Sequence, residues 1–92
     1  MIISFTGRLA EKVWNGERTR LPPDILRRAE RKLIQIDSAV DLADLRVPPG
    51  NRLEQLGGDR EGQHSIRIND QWRICFCWSD EGVHDVEIVD YH

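Results

Sequence analysis

Val47-Pro48-Pro49-Gly50 restricts the fold more than any other stretch. Two successive prolines remove two amide donors and disfavour helical geometry in the residue before them, so neither a helix nor a central strand runs through. The hydrophobic period differs on the two sides of this break. Before it, apolar residues recur every three or four positions; beyond it, they alternate. Helices therefore come first and strands follow, which predicts an α+β domain with helices packed on an antiparallel sheet. Ninety-two residues leave room for one core, so one domain over 1–92 is expected.

Residues 1–5 read as a short strand and 7–14 as a short helix stopped by Asn15-Gly16. A longer helix is expected from about 22 to 39. Its prolines and Asp24 suit a first turn, where amides lack partners and negative charge meets the helix dipole. Leu26, Ala29, Leu33, Ile36 and Val40 form an apolar stripe. Arg27, Arg31, Gln35 and Ser38 take the opposite face, where Ile34 is either exposed or covered by something else. Residues 41–45 can add a helical turn. Beyond the break, 52–56, 63–68, 72–78 and 83–91 read as strands. Trp72, Ile74, Phe76 and Trp78 alternate against Arg73, Cys75 and Cys77, and Val86 and Ile88 share a side with Asp90 and His92.

The composition, 39% hydrophobic and 32% charged, is that of a folded globular domain rather than a disordered chain. No window approaches the roughly 20 apolar residues of a membrane span. Met1-Ile2-Ile3-Ser4-Phe5 lacks the features of a secretory signal, so a cytoplasmic protein with no membrane partner is expected. Cys75 and Cys77 share a strand face at a spacing too wide for a relaxed disulfide, and read as packed thiols. His64, His84 and His92 have no metal-ligand spacing; no metal or cofactor is expected. The net charge of −3 is a poor match to a general nucleic-acid binder. Eleven of the 13 cations are arginine, the better fork for phosphate, so any RNA contact should be local and helped by a larger assembly.

No nucleotide-binding glycine loop, metalloprotease motif or serine elbow is present. The polar residues of the strand-rich half remain: Glu54, Arg60, His64, Arg73, Asp90, Tyr91 and His92. Arg73 interrupts an apolar strand, where a buried cation is costly unless partnered. It either faces solvent, pairs with a carboxylate such as Asp90 or Glu54, or awaits a phosphate, and structural pairing is the common case. Arg60 sits in the Gly58-Asp59-Arg60-Glu61-Gly62 loop, which is either a plain connector or a phosphate clamp. Asp90-Tyr91-His92 is an incidental polar tail by composition alone. If the preceding strand anchors it, it presents a carboxylate, a phenol and an imidazole together, and a free carboxylate after His92 would favour the imidazolium.

These residues also carry a resemblance. Leu53-Glu54-Gln55-Leu56-Gly57-Gly58-Asp59-Arg60-Glu61-Gly62, Ser65-Ile66-Arg67-Ile68-Asn69, Trp72-Arg73-Ile74-Cys75-Phe76, the terminal Asp90-Tyr91-His92 and the opening Met1-Ile2-Ile3-Ser4-Phe5 resemble the HigB-type toxins, also called plasmid maintenance system killer proteins, of the RelE/ParE superfamily. The similarity runs in order over essentially the whole chain. It implies a RelE-like fold, two N-terminal helices on a curved, mainly antiparallel sheet of about four strands. It implies cleavage of messenger RNA in the ribosomal decoding site, a HigA-like helix-turn-helix antitoxin, and contact with operator DNA only through that antitoxin.

Metal-independent RNA cleavage needs a base for the 2′-hydroxyl, cations for the crowded phosphate and an acid for the leaving 5′-oxygen. The resemblance points to His92 as acid or base, to Asp90 as base or as the group that orients His92, to Arg73 with Arg60 second on the phosphate, and to Tyr91 as a stacking or proton-donating group; Glu54, where this chain departs from some relatives, can serve as a base but cannot replace a cation. Some HigB toxins carry histidine where Glu54 stands and lysine where Gly57 stands, so weaker cleavage and milder toxicity are expected of this chain. The alternatives are a ParE-like toxin that inhibits gyrase and a non-catalytic co-repressor acting with its antitoxin. Exposed Ile34 is one candidate antitoxin anchor.

Overall fold

The computed structural model describes residues 1–90. Helix α1 (Leu9–Trp14) buries Ala10 and Val13 and ends at Asn15 and a left-handed Gly16. Helix α2 (Pro23–Ser38) starts behind Pro22, with Asp24 in its first turn, and buries Ile25, Ala29, Leu33 and Ile36. The expected stripe is thus shifted. Leu26 is only partly buried and Ile25 takes the inward position, while Val40 is 91% exposed. The cause lies at Ala39, whose extended backbone ends the helix before Val40 can join the buried face. Ile34 is 57% exposed, as its place on the polar face implied.

The turn expected at 41–45 is a 3-10 turn, Leu42–Arg46. Asp41 and Asp44 cap it reciprocally: Asp44 accepts from the amides of Val40 and Asp41, both at 3.0 Å, which satisfies donors a helix start leaves open. Asn51 then fastens the proline-rich segment to α2. Its fully buried amide donates to the carbonyls of Leu45 (3.1 Å) and Val47 (3.2 Å) and to Gln35 (3.1 Å), and its oxygen accepts from Lys32. Arg52 follows in a left-handed conformation, φ 45° and ψ 58°, which is strained for a side chain of this kind.

Four antiparallel strands follow as a meander in spatial order: β1 (Glu54–Gln55), β2 (His64–Arg67), β3 (Trp72–Ser79) and β4 (Gly82–Asp90). The first is shorter than the 52–56 expected. Ile66, Ile74 and Ile88 align across β2, β3 and β4 and, with Phe76, Val83 and Val86, form the sheet side of the core beneath the helices. Val83 and Val86 are an odd number of residues apart, yet both face inward. A bulge permits this: the register slips between Cys75 and Cys77, and Asp85 takes φ 54°.

The N-terminal segment, expected to be a strand, instead makes two isolated parallel bridges to β4, Ile2 with Val83 and Phe5 with Val86. The bulge breaks the ladder between them, and Ser4 fills the gap by accepting from the Asp85 amide at 2.9 Å. This segment covers the β4 edge, which would otherwise present open backbone groups. No helix among the described residues is long and apolar enough to cross a membrane.

Candidate functional site

The sheet has a second face, turned away from the helices. Cross-strand pairing lines up Glu54, Ser65, Cys75 and Glu87 in one row over β1, β2, β3 and β4, because directly opposed residues share a face. Arg67, Arg73 and Val89 form the next row. Alternation along each strand is what sends Ile66, Ile74 and Ile88 inward and these residues outward.

Arg73 is 7% exposed. Its burial is tolerated because its donors are used: Nε donates to Ser65 Oγ at 2.8 Å, and Nη2 to the carbonyls of Arg52 at 2.8 Å and Ser65 at 3.3 Å. The strained turn at Arg52 is what aims that carbonyl at the guanidinium. Glu54 supplies the carboxylate near it, at 3.9 Å. Of the partners expected for Arg73, Glu54 is therefore found and Asp90 is not.

Arg60 reaches over the same face from the 3-10 turn Gly58–Arg60. Its Nη1 donates to Gln63 at 3.0 Å and to Glu87 at 3.1 Å. Cys75 lies fully buried at the middle of the row and registers both arginines. Burial pushes its thiol above the ordinary range, Arg60 pulls it down, Glu87 raises it, and Arg73 pulls it down. Arg73 through Ser65 and Arg60 through Glu87 are both tied to this row of the sheet.

The other expected site residues are placed differently. Asp90 is the register partner of Trp72, whereas Val89 is that of Arg73, so Asp90 belongs to the opposite face, at the end of β4. Its carboxylate accepts from Gln71 Nε2 at 3.2 Å. His64 stacks on Phe76 on the inward side, with ring centroids 6.1 Å apart, and its buried Nδ1 has no hydrogen-bond partner among the described residues. Tyr91 and His92 lie outside the described residues. Among the described residues no group of three or more histidine, cysteine, aspartate or glutamate side chains is placed to hold a metal ion.

Two members of this face escaped sequence reasoning. Ser65 orients Arg73, and Glu87 holds Arg60. Each looks like an ordinary polar residue of a half-buried strand. Only the pairing of the Arg73 strand with both neighbours could have found them.

Known proteins are similar to this chain in sequence and in fold. The family model for the RelE-like toxin of the type II toxin–antitoxin system HigB matches residues 4–92. Toxin HigB-1 of Vibrio cholerae serotype O1 is 42% identical over 82 residues, 87% of this chain and 86% of that protein. Endoribonuclease HigB of Proteus vulgaris is 31% identical over 77 residues, covering 84% and 83%. Among solved structures, the YoeB–YefM complex from Staphylococcus aureus has a chain that superposes with a TM-score of 0.63 at 18% identity, over 100% of this chain and 95% of that one.

Proposed function

The chain belongs to the HigB family of RelE-like toxins of type II toxin–antitoxin systems, and on that premise we propose that it is an endoribonuclease that cuts messenger RNA on the ribosome without a metal ion. The observation that carries this reading is Arg73: a guanidinium held in place by Ser65 and the Arg52 carbonyl, with Arg60 paired to Glu87 on the same face. A pre-positioned cation costs no reorganisation when charge builds on a phosphate, which is why such groups accelerate reactions. The name of the Proteus vulgaris relative, Endoribonuclease HigB, supports the same chemistry.

The proposed reaction is an in-line transfer. A base takes the proton of a 2′-hydroxyl, the 2′-oxygen attacks the adjacent phosphorus, and the bond to the 5′-oxygen breaks as an acid protonates it. The products are a 2′,3′-cyclic phosphate and a 5′-hydroxyl. Arg73 stabilises the crowded phosphate, with Arg60 second. Glu54, more than half exposed and beside Arg73, acts as base. His92 is the acid, since an imidazole exchanges protons near neutral pH. Tyr91 stacks on a base or donates a proton. Asp90, on the other face from Arg73, orients His92 instead of touching the phosphate. Because Glu54 and Gly57 replace the histidine and lysine of some relatives, cleavage is weaker here.

A chain of net charge −3 has no general surplus of cations for messenger RNA, so its RNA contact is local and the ribosome supplies the substrate in place. The partner that silences the toxin is an antitoxin of the HigA-like helix-turn-helix type, which also carries the complex to operator DNA. The compartment is the cytoplasm, where ribosomes and messenger meet.

The purified chain, incubated with messenger RNA with and without ribosomes, tests the reading. Fragments with 5′-hydroxyl ends are expected only when ribosomes are present. Intact messenger in both reactions, with growth arrest and DNA damage in cells, would instead favour gyrase inhibition.

A further inference from the structure

A cleft of about 650 Å³ opens beside the Arg73 face, between α1, the connector to α2, and β4. Arg8, Lys12, Arg18 and Arg20 line it, and Glu87 forms its border with Arg60. None of the four cations makes an ion pair among the described residues. They are four of the 13 cations of a chain whose net charge is −3, gathered into one concavity. A concave wall of like charge focuses its field and raises the local concentration of anions.

The cleft shares Glu87, the partner of Arg60, with the site. Glu87 belongs to the same cross-strand row as Cys75, Ser65 and Glu54. Arg73 registers with Val89, and Glu87 stands two residues along the same strand at the cleft border, so nucleotides flanking a phosphate held at Arg73 would extend toward the cleft. Leu9 and Ile88 are its main apolar wall, which is little for a protein partner, whose binding energy usually centres on buried apolar and aromatic anchors. Three of its four cations are arginines, whose planar forks match phosphate oxygens two at a time.

We propose that this cleft is an RNA-backbone subsite in which Arg8, Lys12, Arg18 and Arg20 hold the phosphates flanking the one that is cut. The inference rests on the nuclease reading above and extends it to the path of the substrate. The cleft gives affinity and register; the Arg73 face gives chemistry.

The test uses the purified full chain and a fully 2′-O-methylated single-stranded RNA oligonucleotide, which cannot be cut. Its binding is followed by fluorescence anisotropy over a range of low salt concentrations. The double variant Arg18→Ala/Arg20→Ala should bind about tenfold more weakly whatever the base sequence, and its salt slope should be shallower by about 0.7 for each phosphate no longer neutralised. Arg31→Ala, on the solvent face of α2, should bind like wild type. The proposal is overturned if wild type has no RNA affinity, or if the double variant keeps both the affinity and the slope. Unchanged RNA binding with weakened antitoxin binding would likewise overturn it and make the cleft a protein seat. Wild-type cleavage on ribosomes is scored separately. Cleavage without a role for the cleft defeats only this inference; cleft-dependent RNA binding without cleavage defeats only the nuclease reading.

Discussion

Arg73 and Ser65 are joined by a hydrogen bond of 2.8 Å from guanidinium Nε to hydroxyl oxygen, both residues being buried on the face of the sheet away from the helices. Ser65→Ala leaves that charged donor without its acceptor. The expected cost is about 1–3 kcal/mol in a denaturant melt, the range for a buried polar group losing its partner. Cleavage of ribosome-bound messenger should fall as well, because Arg73 would no longer be fixed at its angle. A melt and cleavage rate equal to wild type would show that the hydroxyl does not position the arginine.

Arg60 and Glu87 form a more exposed pair on the same face. Solvent screening keeps such a pair within about 1 kcal/mol of stability. Arg60→Ala should therefore melt nearly like wild type while cutting RNA more slowly. A large loss of stability with normal cleavage would assign Arg60 to the scaffold.

Gly82 sits where the N-terminal segment meets β4, at φ 148°. A Cβ there would lie 2.6 Å from Ile3 Cδ1 and 2.7 Å from the Met1 carbonyl oxygen. Gly82→Ala must strain its backbone and push the segment off the β4 edge, at a cost of about 1–3 kcal/mol. Equilibrium unfolding measures this, and an unchanged midpoint would mean that the segment does not hold the edge.

Burial raises the Cys75 thiol above the ordinary 9.0, against the pull of Arg60. Burial also raises Cys77, with Asp85 adding to the shift. Well below pH 9 both thiols are protonated in folded and unfolded chains alike and contribute no pH dependence. Above it the unfolded chain loses its protons first, so stability falls as pH rises through the window between the unfolded and folded values. Cys75→Ala should flatten part of that alkaline decline, read from melts between about pH 8 and pH 10.5. A decline of unchanged steepness would place the titrating groups elsewhere.

Much of the fold was legible in the sequence. The break at Val47-Pro48-Pro49-Gly50, the burial of Leu33 and Ile36, and the Trp72-to-Trp78 alternation each follow from local chemistry or period. Ile25, Val40 and the parity of β4 did not follow, because they depend on where Ala39 leaves the helix and where Asp85 bulges. Both are backbone choices settled by tertiary packing. At the site, Arg73 was conspicuous as a cation in an apolar strand, and Arg60 as a cation among glycines. Ser65 and Glu87 carry no such contrast. Their importance comes from strand register, which pairs them with residues far away in the chain. The same holds for Arg8, Lys12, Arg18 and Arg20, which look like scattered surface charge until the connector folds back over β4.

The most direct test of the account is primer extension on messenger RNA after brief expression of wild type and Arg73→Ala, with both proteins folded and at equal levels. Wild type should produce discrete new 5′ ends within translated messages. Arg73→Ala should reduce their yield by about 10²–10³, the loss seen when one pre-positioned charge-stabilising donor is removed. The same ends at the same yield from both proteins would contradict the claim that this arginine stabilises the phosphate being cut.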